Sequence, residues 1–227
     1  MELSELVAQY RVDADDLVAQ PYLSTTPQVV GWINEAEEEA AIRARLLFDS
    51  STPEVCEIEV DAAAVTAGTR VYALHEAVFQ ITRAVFVPEG TTTEYELYLT
   101  DRVEQDRRHP GWRARVDIPA QAIHDDTKLE LGCKPSVAGT IRIECYRTPL
   151  VKIQDSETST PEIHRTHHRY LIHWVLHRAY SRPDSELYDP KRAALEEARF
   201  TEHFGIRPDA NNRRNVEANR QHHNKAW

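Results

Sequence analysis

Hydrophobic residues recur with a helical period at both ends of the chain. Near the N-terminus, Leu3, Leu6 and Tyr10 predict a short amphipathic helix. A second start signal, Ser24-Thr25-Thr26-Pro27, precedes a helical pattern that continues to Phe48. One face of this longer helix carries a narrow stripe rich in alanine, made of Val29, Ile33, Ala36, Ala40, Ala44 and Leu47. Small side chains let neighbouring helices approach closely, so we expect this helix to pack against others.

Two further helices are predicted between residues 159 and 205. The motif Ser159-Thr160-Pro161-Glu162 carries hydroxyl caps, a proline for the first turn and a glutamate at the capping-box position. The apolar residues after it share one face and predict a helix to about Tyr180; they are Ile163, Tyr170, Leu171, Trp174 and Val175. Asp189 and Pro190 start a second helix, which Gly205 closes. Its apolar side is predicted to consist of Ala194, Leu195, Ala198, Phe200 and Phe204. A short polar loop joins the two helices, which predicts an αα-hairpin.

In the middle of the chain the hydrophobic period falls to the strand value of about two residues. Cys56, Ile58 and Val60 alternate with glutamates, and more alternating segments lie between residues 71 and 99. Asp101 is the predicted cap of a short helix, and residues 112–118 form a candidate strand. The alternating segments 129–133 and 141–145 are predicted to pair as a hairpin that closes the module.

These periods predict an α+β fold. Residues 1–53 and 149–205 supply the helices of one bundle, from which residues 54–148 project as an inserted antiparallel β module. Residues 206–227 are rich in Asn, Arg and His and have no apolar stripe. This composition predicts an extended C-terminal arm rather than an element of the core.

The composition is typical of a soluble globular chain. Its 227 residues are 41% hydrophobic and 28% charged, which excludes a mainly disordered protein. No apolar run approaches the roughly 20 residues of a membrane span, and the acidic N-terminus lacks the apolar core of a signal peptide. Cys56, Cys133 and Cys145 show no CxxC spacing, so we expect reduced thiols, as in a cytoplasm.

The net charge of −10 argues against non-specific coating of nucleic acid, which needs a basic surface. The charge is unevenly distributed. Residues 1–50 hold ten acids and three arginines, whereas residues 206–227 hold four arginines and a lysine against two acids. Opposite charges at the two ends indicate separate partners, a tail that meets the acidic face of another subunit, or two merely solvated segments.

Five histidines crowd the first of the predicted C-terminal helices. His164/His168 and His173/His177 are i,i+4 pairs, with His167 between them, and such pairs can share a zinc ion with a third ligand. However, no HExxH motif occurs, and the two pairs start nine residues apart. We therefore favour surface, interface or capping histidines with some pH sensitivity. A metal-dependent enzyme that uses the His164–His177 helix is the alternative.

The sequence shows no other catalytic pattern. It contains no GxSxG elbow, no P-loop and no GxGxxG, and none of its cysteines has a reactive context. The acidic pairs Asp15/Asp16 and Asp125/Asp126 are typical of turns and caps. We therefore expect no enzyme activity, no catalytic residue, no metal site and no cofactor.

Several segments carry a family likeness. Residues 29–37 (VVGWINEAE) and 41–47 (AIRARLL) lie in the long N-terminal helix, and residues 139–149 (GTIRIECYRTP) form a strand and its exit. Residues 168–180 (HRYLIHWVLHRAY) and 185–190 (SELYDP), with Ala193, Phe200 and Phe204-Gly205, belong to the C-terminal helix pair. Together they resemble the head-to-tail adaptor (connector or head completion) proteins of tailed bacteriophages.

The resemblance implies a structural, non-enzymatic virion protein at the head–tail junction, assembled in the host cytoplasm. Such adaptors form rings, typically of twelve subunits, that dock on the portal protein after DNA packaging. Tail or neck proteins then attach to the ring. Double-stranded DNA passes through the lumen without specific binding, and no membrane is involved.

Two groups of residues are assigned on this basis. The family's C-terminal arm reaches the portal, so Arg213, Arg214, Arg220 and Trp227 are predicted to bind it, with the tryptophan as an aromatic anchor. Glu37, Glu38 and Glu39 are predicted to line the lumen or a charged seam between subunits, because a lumen lined with acids repels phosphates. A monomeric binding module, whose β domain recognises sugar or protein, is a further alternative.

Overall fold

The computed structural model describes residues 1–16, 22–154, 156, 158–183 and 185–208, and every structural statement below concerns these residues. The chain runs, in order, through α1 (Leu3–Asp13), α2 (Thr26–Ala44), β1 (Phe48–Asp49), α3 (Pro53–Cys56), β2 (Glu57–Val60), α4 (Ala62–Ala67), β3 (Val71–Ala73), β4 (Val78–Pro88), β5 (Tyr95–Glu96), β6 (Tyr98–Thr100), α5 (Arg102–Arg108), β7 (Val116–Asp117), β8 (Gln121–Asp125), β9 (Lys128–Leu131), β10 (Lys134–Pro135), β11 (Gly139–Arg147), a 3₁₀ turn (His168–Tyr170), α6 (Leu171–Tyr180) and α7 (Pro190–Phe204). The fold is therefore α+β, as the hydrophobic periods predict.

The described residues form two compact units. The first, which we call the helical unit, comprises Met1–Leu47 and Thr148–Arg207. The second, the β unit, contains Phe48–Arg147. The boundaries lie close to the points at which the hydrophobic period changes in the sequence. Whether either unit folds without the other remains a prediction.

Four helices share one core in the helical unit. Helix α6 packs against α1, α2 and α7. Of the alanine-rich stripe on α2, Val29, Ile33, Ala36 and Ala40 are completely buried, as predicted. The helix begins at Thr26, where the Gln28 side chain accepts a hydrogen bond from the backbone N–H of Thr25 at 3.0 Å. It ends at Ala44 rather than near Phe48, because Arg45 adopts a left-handed conformation with φ of 51°.

The predicted helix start at Ser159 is wrong. Residues 159–167 form an irregular segment with bends and one turn, and the helix begins only at Leu171, after the 3₁₀ turn. The reason is that the polar backbone groups of this stretch find partners elsewhere. The N–H groups of Glu162 and Ile163 donate to Glu37 of α2, and the Ile163 carbonyl contacts Nε2 of His168 at 2.8 Å.

Helix α7 begins and ends as predicted, but its buried face was only partly predicted. Asp189 caps its start by accepting hydrogen bonds from the N–H groups of Lys191 and Arg192, and Gly205 follows its last residue. The buried positions are Ala193, Glu196, Phe200 and Phe204. In contrast, Ala194, Leu195 and Ala198, which we assigned to the apolar side, are exposed, with Leu195 at 50%. The helix therefore presents apolar side chains outward as well as inward.

The β unit contains three sheets. The largest has the order β1-β11-β4-β5. Strand β2 also pairs with β11, on the same edge as β1 but at residues 139–142, whereas β1 pairs at residues 145–146. A second sheet has the order β3-β9-β8-β6, and β10 pairs with β7. The core between them is filled by apolar residues such as Phe86, Leu97, Leu129, Ile141 and Ile143.

Two predictions about pairing in the β unit are wrong. The segments 129–133 and 141–145 do not form a hairpin, because β9 pairs with β3 and β8 whereas β11 pairs with β4, β1 and β2. The sheets are also not purely antiparallel, since β6 runs parallel to β8 and β7 runs parallel to β10. Alternation shows that a strand has one buried side, but it does not identify the strand's neighbours.

The short elements of the β unit were predicted unevenly. Asp101 caps α5 by accepting a hydrogen bond from the Glu104 N–H at 2.7 Å, as predicted. Only residues 116–117 of the candidate strand 112–118 are extended in a sheet. Trp112 instead lies in a turn, where it is 1% exposed and its Nε1–H donates to Asp106 at 2.7 Å. Strand β8 and helices α3 and α4 were not predicted.

Candidate functional site

The interface between α6 and α7 contains an imidazole at each of three successive levels. Nδ1 of His177 lies 3.0 Å from the Ala193 carbonyl oxygen, near the start of α7. Nδ1 of His173 lies 2.6 Å from Oε2 of Glu196. The helix spacing explains this arrangement, because His173 and His177 are one turn apart on α6. The predicted histidine cluster is thus part of an internal seam between two helices.

The third level lies at the last turn of α7. Nδ1 of His167 and Nε2 of His203 are 3.1 Å apart. The ring of Tyr170 stacks on His203 with centroids 3.5 Å apart and an interplanar angle of 7°, and Phe204 meets the same imidazole edge-on at 4.7 Å. We call His167, Tyr170, His203 and Phe204 the imidazole latch.

Electrostatics at the latch favour uncharged rings. Burial lowers the pKa of His167, and the neighbouring His164 and His168 lower it further. The pKa of His203 is lowered by burial and then by His167 and His173. At neutral pH both rings are therefore neutral, so one N–H can donate to the other ring's lone pair.

The histidines do not converge on a common metal site. Among the described residues, no group of three or more His, Cys, Asp or Glu side chains is placed to hold a metal ion. Nδ1 of His164 lies 2.8 Å from the Thr166 hydroxyl, and His168 contacts the Ile163 carbonyl. His164 lies in an irregular segment and His168 opens the 3₁₀ turn, so the pair does not share one face of an α-helix.

The three glutamates of α2 have different environments. Glu37 is 1% exposed, and its Oε1 accepts hydrogen bonds from the N–H groups of Glu162 and Ile163. Burial raises the pKa of Glu37 to about 7, although the two backbone hydrogen bonds act in the opposite direction. Glu39 is 6% exposed and forms ion pairs with Arg43 at 2.8 Å and Arg207 at 3.3 Å. Glu38 is exposed, so it is the one of the three whose side chain is available to another molecule.

Buried thiols and carboxylates elsewhere have structural partners. Cys56, Cys133 and Cys145 are free and buried, and burial raises the pKa of Cys145 to about 12, so these thiols are poor nucleophiles. Asp49 accepts hydrogen bonds from Arg147 Nε at 2.6 Å and from the Thr52 N–H at 3.0 Å. Despite burial, these hydrogen bonds keep the pKa of Asp49 well below its usual range.

The acidic pairs of the sequence analysis do not form a catalytic dyad. Asp16 is buried and paired with Arg11, whereas Asp15 is exposed with a positive φ of 59°. Asp125 forms an ion pair with Arg102 at 2.7 Å. Asp15 lies in a turn, as the sequence indicates, whereas the ion pairs of Asp16 and Asp125 were not predicted. Arg213, Arg214, Arg220 and Trp227, which are predicted to bind the portal, lie outside the described residues.

One further property of the structure and two comparisons with known proteins complete this description. Within the described part of the chain, no helix combines the length and apolarity needed to span a membrane. The family model of the SU10 adaptor protein, a phage head–tail adaptor, matches residues 1–222. The chain belongs to this family. The SU10 adaptor family supplies a structural component of the phage virion that interacts with other head and tail proteins. No curated protein matches the chain.

Sequence reasoning missed three features of this region. The pairing of His167 with His203 joins residues 36 positions apart, and the i,i+4 patterns point to other pairs. Asn34 of α2 forms two hydrogen bonds with the backbone of Ile153. The Asn34 Nδ2 donates to the Ile153 carbonyl oxygen at 2.9 Å, and the Ile153 N–H donates to Asn34 Oδ1 at 2.7 Å. The burial of Glu37 also gave no signal, because the surrounding run of glutamates is typical of a solvated helix face.

Proposed function

We propose that this chain is a structural adaptor that forms a ring of twelve subunits on the portal vertex. The ring connects the DNA-filled head to the tail or neck proteins, and double-stranded DNA passes through its lumen. The observation that carries this proposal is the match of the SU10 adaptor family model over residues 1–222. The contacts of the buried carboxylates, thiols and histidines described above are consistent with a non-enzymatic role.

We assign attachment to the portal to residues 206–227. Their sequence combines cationic side chains with one tryptophan and lacks an apolar stripe, so on its own it buries too little surface to offset the entropy of ordering. Trp227 enters an apolar pocket on the portal, and Arg213, Arg214 and Arg220 pair with acidic groups around it. Loss of such an aromatic anchor weakens binding by about 2 kcal/mol or more.

The test is a binding assay with purified, DNA-filled heads that carry the portal but no adaptor. Full-length subunits should bind to full occupancy. Subunits truncated after Pro208, which retain the ion pair between Arg207 and Glu39, should keep their melting temperature and fail to attach. Trp227→Ala should weaken attachment more than Trp227→Phe, which keeps an aromatic ring. Likewise, replacing Arg213, Arg214 and Arg220 by glutamine should weaken it more than replacing them by lysine, which keeps the charge.

The assay distinguishes failure of the adaptor function from failure of the role assigned to residues 206–227. If full-length subunits do not bind such heads, the adaptor function itself is wrong. If the truncated subunits bind at full occupancy, only the role of the arm is wrong.

In the proposed ring, the acidic N-terminal region supplies negative charge either to the lumen or to the seam between subunits. Among Glu37, Glu38 and Glu39, Glu38 is the residue that supplies it. Its carboxylate is exposed, whereas Glu37 and Glu39 are occupied by contacts within the subunit. A negative charge at the lumen repels phosphates and so lets DNA pass without binding.

A further inference from the structure

The imidazole latch holds the last turn of α7 by a contact that depends on protonation. The two nitrogens are 3.1 Å apart and the ring centres 5.3 Å apart, so the nitrogens face each other along the line between the rings. This is the geometry of an N–H···N hydrogen bond, in which one imidazole donates and the other accepts. This hydrogen bond forms when both rings are neutral. It also forms when one ring is an imidazolium and the other is neutral. It cannot persist when both rings are imidazolium, because neither nitrogen then has a lone pair.

The other two levels of the seam do not share this sensitivity. Nδ1 of His173 contacts the carboxylate of Glu196, and Nδ1 of His177 contacts the carbonyl oxygen of Ala193. An imidazolium donates to oxygen as well as a neutral ring does, and the pairing of His173 with Glu196 gains an ionic component on protonation. Acidification should therefore act on the latch and spare the rest of the α6–α7 interface.

Among the described titratable groups, the two latch imidazoles are shifted by histidines alone, and a histidine cannot offset a second positive charge. On the α6 side they face His164, His168 and His173. On α7, Glu196 is bound to His173 and Arg199. On α2, Glu39 is bound to Arg43 and Arg207. Once one ring of the pair is charged, a second proton meets the repulsion of the first.

A second anchor holds the same turn of α7 and does not titrate near neutral pH. Nη1 of Arg43 donates to the Thr201 hydroxyl at 2.9 Å and contacts the Gly205 carbonyl at 3.4 Å. The last turn is thus fastened on one side by an arginine and on the other by the latch. Releasing the latch alone loosens the turn without detaching the helix.

We propose that the imidazole latch is sensitive to protonation. On acidification the hydrogen bond between His167 and His203 is lost, and the last turn of α7 and the start of residues 206–227 become free to move. The inference rests on the contacts of the helical unit and does not depend on ring formation. The direction of the lowered pKa values agrees with it. A base whose pKa is depressed in the fold stabilises the fold above its unfolded pKa, near 6.5. That contribution is lost as the pH falls below this value.

Hydrogen exchange measured by mass spectrometry on the full chain tests the proposal. Exchange is compared at about pH 7.5 and about pH 5, after correction for the intrinsic pH dependence of exchange. In the wild type, the corrected exchange rate of residues 200–205 should rise about fivefold or more at the lower pH, while residues 190–197 should change little. His203→Phe keeps a ring on Tyr170 but cannot be protonated, so its exchange rate should be independent of pH.

His164→Ala is the matched control, because His164 belongs to the same cluster but contacts Thr166 rather than the latch. It should keep the direction of the wild-type pH response, with a midpoint at slightly higher pH because His164 no longer lowers the pKa of His167. His167→Gln provides a second variant that also removes one titrating partner. An unchanged wild-type exchange rate at the two pH values would overturn the proposal. So would a wild-type pH response that persists in both His203→Phe and His167→Gln, or one that disappears in His164→Ala.

Discussion

At the scale of single residues, burial separates side chains that look equivalent in the sequence. Glu37, Glu38 and Glu39 are adjacent and chemically identical, yet the first is 1% exposed and binds two backbone N–H groups, and the third is paired with two arginines. Successive residues of a helix are rotated by about 100°, so neighbours face different surroundings. The sequence shows a charge run, but only the packing shows which charge is solvated.

The environment of Glu37 predicts an unusual pH dependence. Its pKa in the fold, about 7, lies above the ordinary value of 4.5, so the folded state holds a proton that the unfolded state has lost between these values. Glu37 therefore favours the fold most below pH 4.5, and this contribution falls as the pH rises through 7, by about 3 kcal/mol in total. Urea unfolding of the wild type at several pH values measures this slope.

Two substitutions at this position separate charge from hydrogen bonding. Because Oε1 alone accepts both backbone N–H groups, Glu37→Gln can keep both hydrogen bonds without a charge. It should be as stable as the wild type or more stable at pH 8, and the slope between pH 4.5 and 7 should decrease. Glu37→Ala leaves both donors without an acceptor and should lower the free energy of unfolding by about 2 kcal/mol or more. A wild-type slope in Glu37→Gln would show that another group titrates.

At the scale of elements, the sequence predicted helices and strands better than their partners. Asp189, Pro190 and Gly205 define α7 to the residue because capping is a local interaction. The start of α6 was misplaced because the capping signal at Ser159 competes with hydrogen bonds to Glu37, which lies 125 residues away from Glu162. Local signals could not reveal that competitor. The same limit explains the incorrect hairpin between 129–133 and 141–145.

The position of Glu38 on α2 leads to a prediction about DNA ejection. Charge reversal by Glu38→Lys should leave the subunit's melting temperature nearly unchanged, because an exposed substitution on a helix has little effect on folding. If Glu38 lines the lumen, a ring of added lysines should attract phosphates and slow DNA ejection from assembled particles. If it lies at a charged seam, the rings themselves should assemble poorly.

Salt dependence and a neutral variant distinguish these outcomes. Attraction to phosphates weakens as salt rises, so slow ejection by Glu38→Lys should recover at high salt, and Glu38→Gln should eject nearly normally. Normal ejection by fully assembled Glu38→Lys particles would place this residue away from both the lumen and the seam.

At the scale of the whole molecule, the chain divides into two compact units whose boundaries lie near the changes of hydrophobic period. Periodicity marks these boundaries because helices and strands bury their side chains with different spacings. The apolar cluster of the helical unit draws only on residues 1–47 and 148–207, and that of the β unit only on residues 48–147. The topology inside the β unit could not be predicted in the same way, because register and neighbour choice depend on contacts between distant segments.

This separation of the cores predicts that the helical unit folds without the β unit. Replacing Phe48–Arg147 by a flexible Gly/Ser linker removes none of the residues in the helical core, which include Ile153 and Ile163 from the returning segment. The shortened protein should therefore be soluble, keep its helical circular dichroism and unfold cooperatively on heating. The same replacement combined with Leu171→Asp, which puts a charge at a fully buried position, should abolish that transition. If the shortened protein aggregates, or loses ellipticity gradually as the double variant does, the β unit is required for the helices to pack, and the two compact units form a single folding unit.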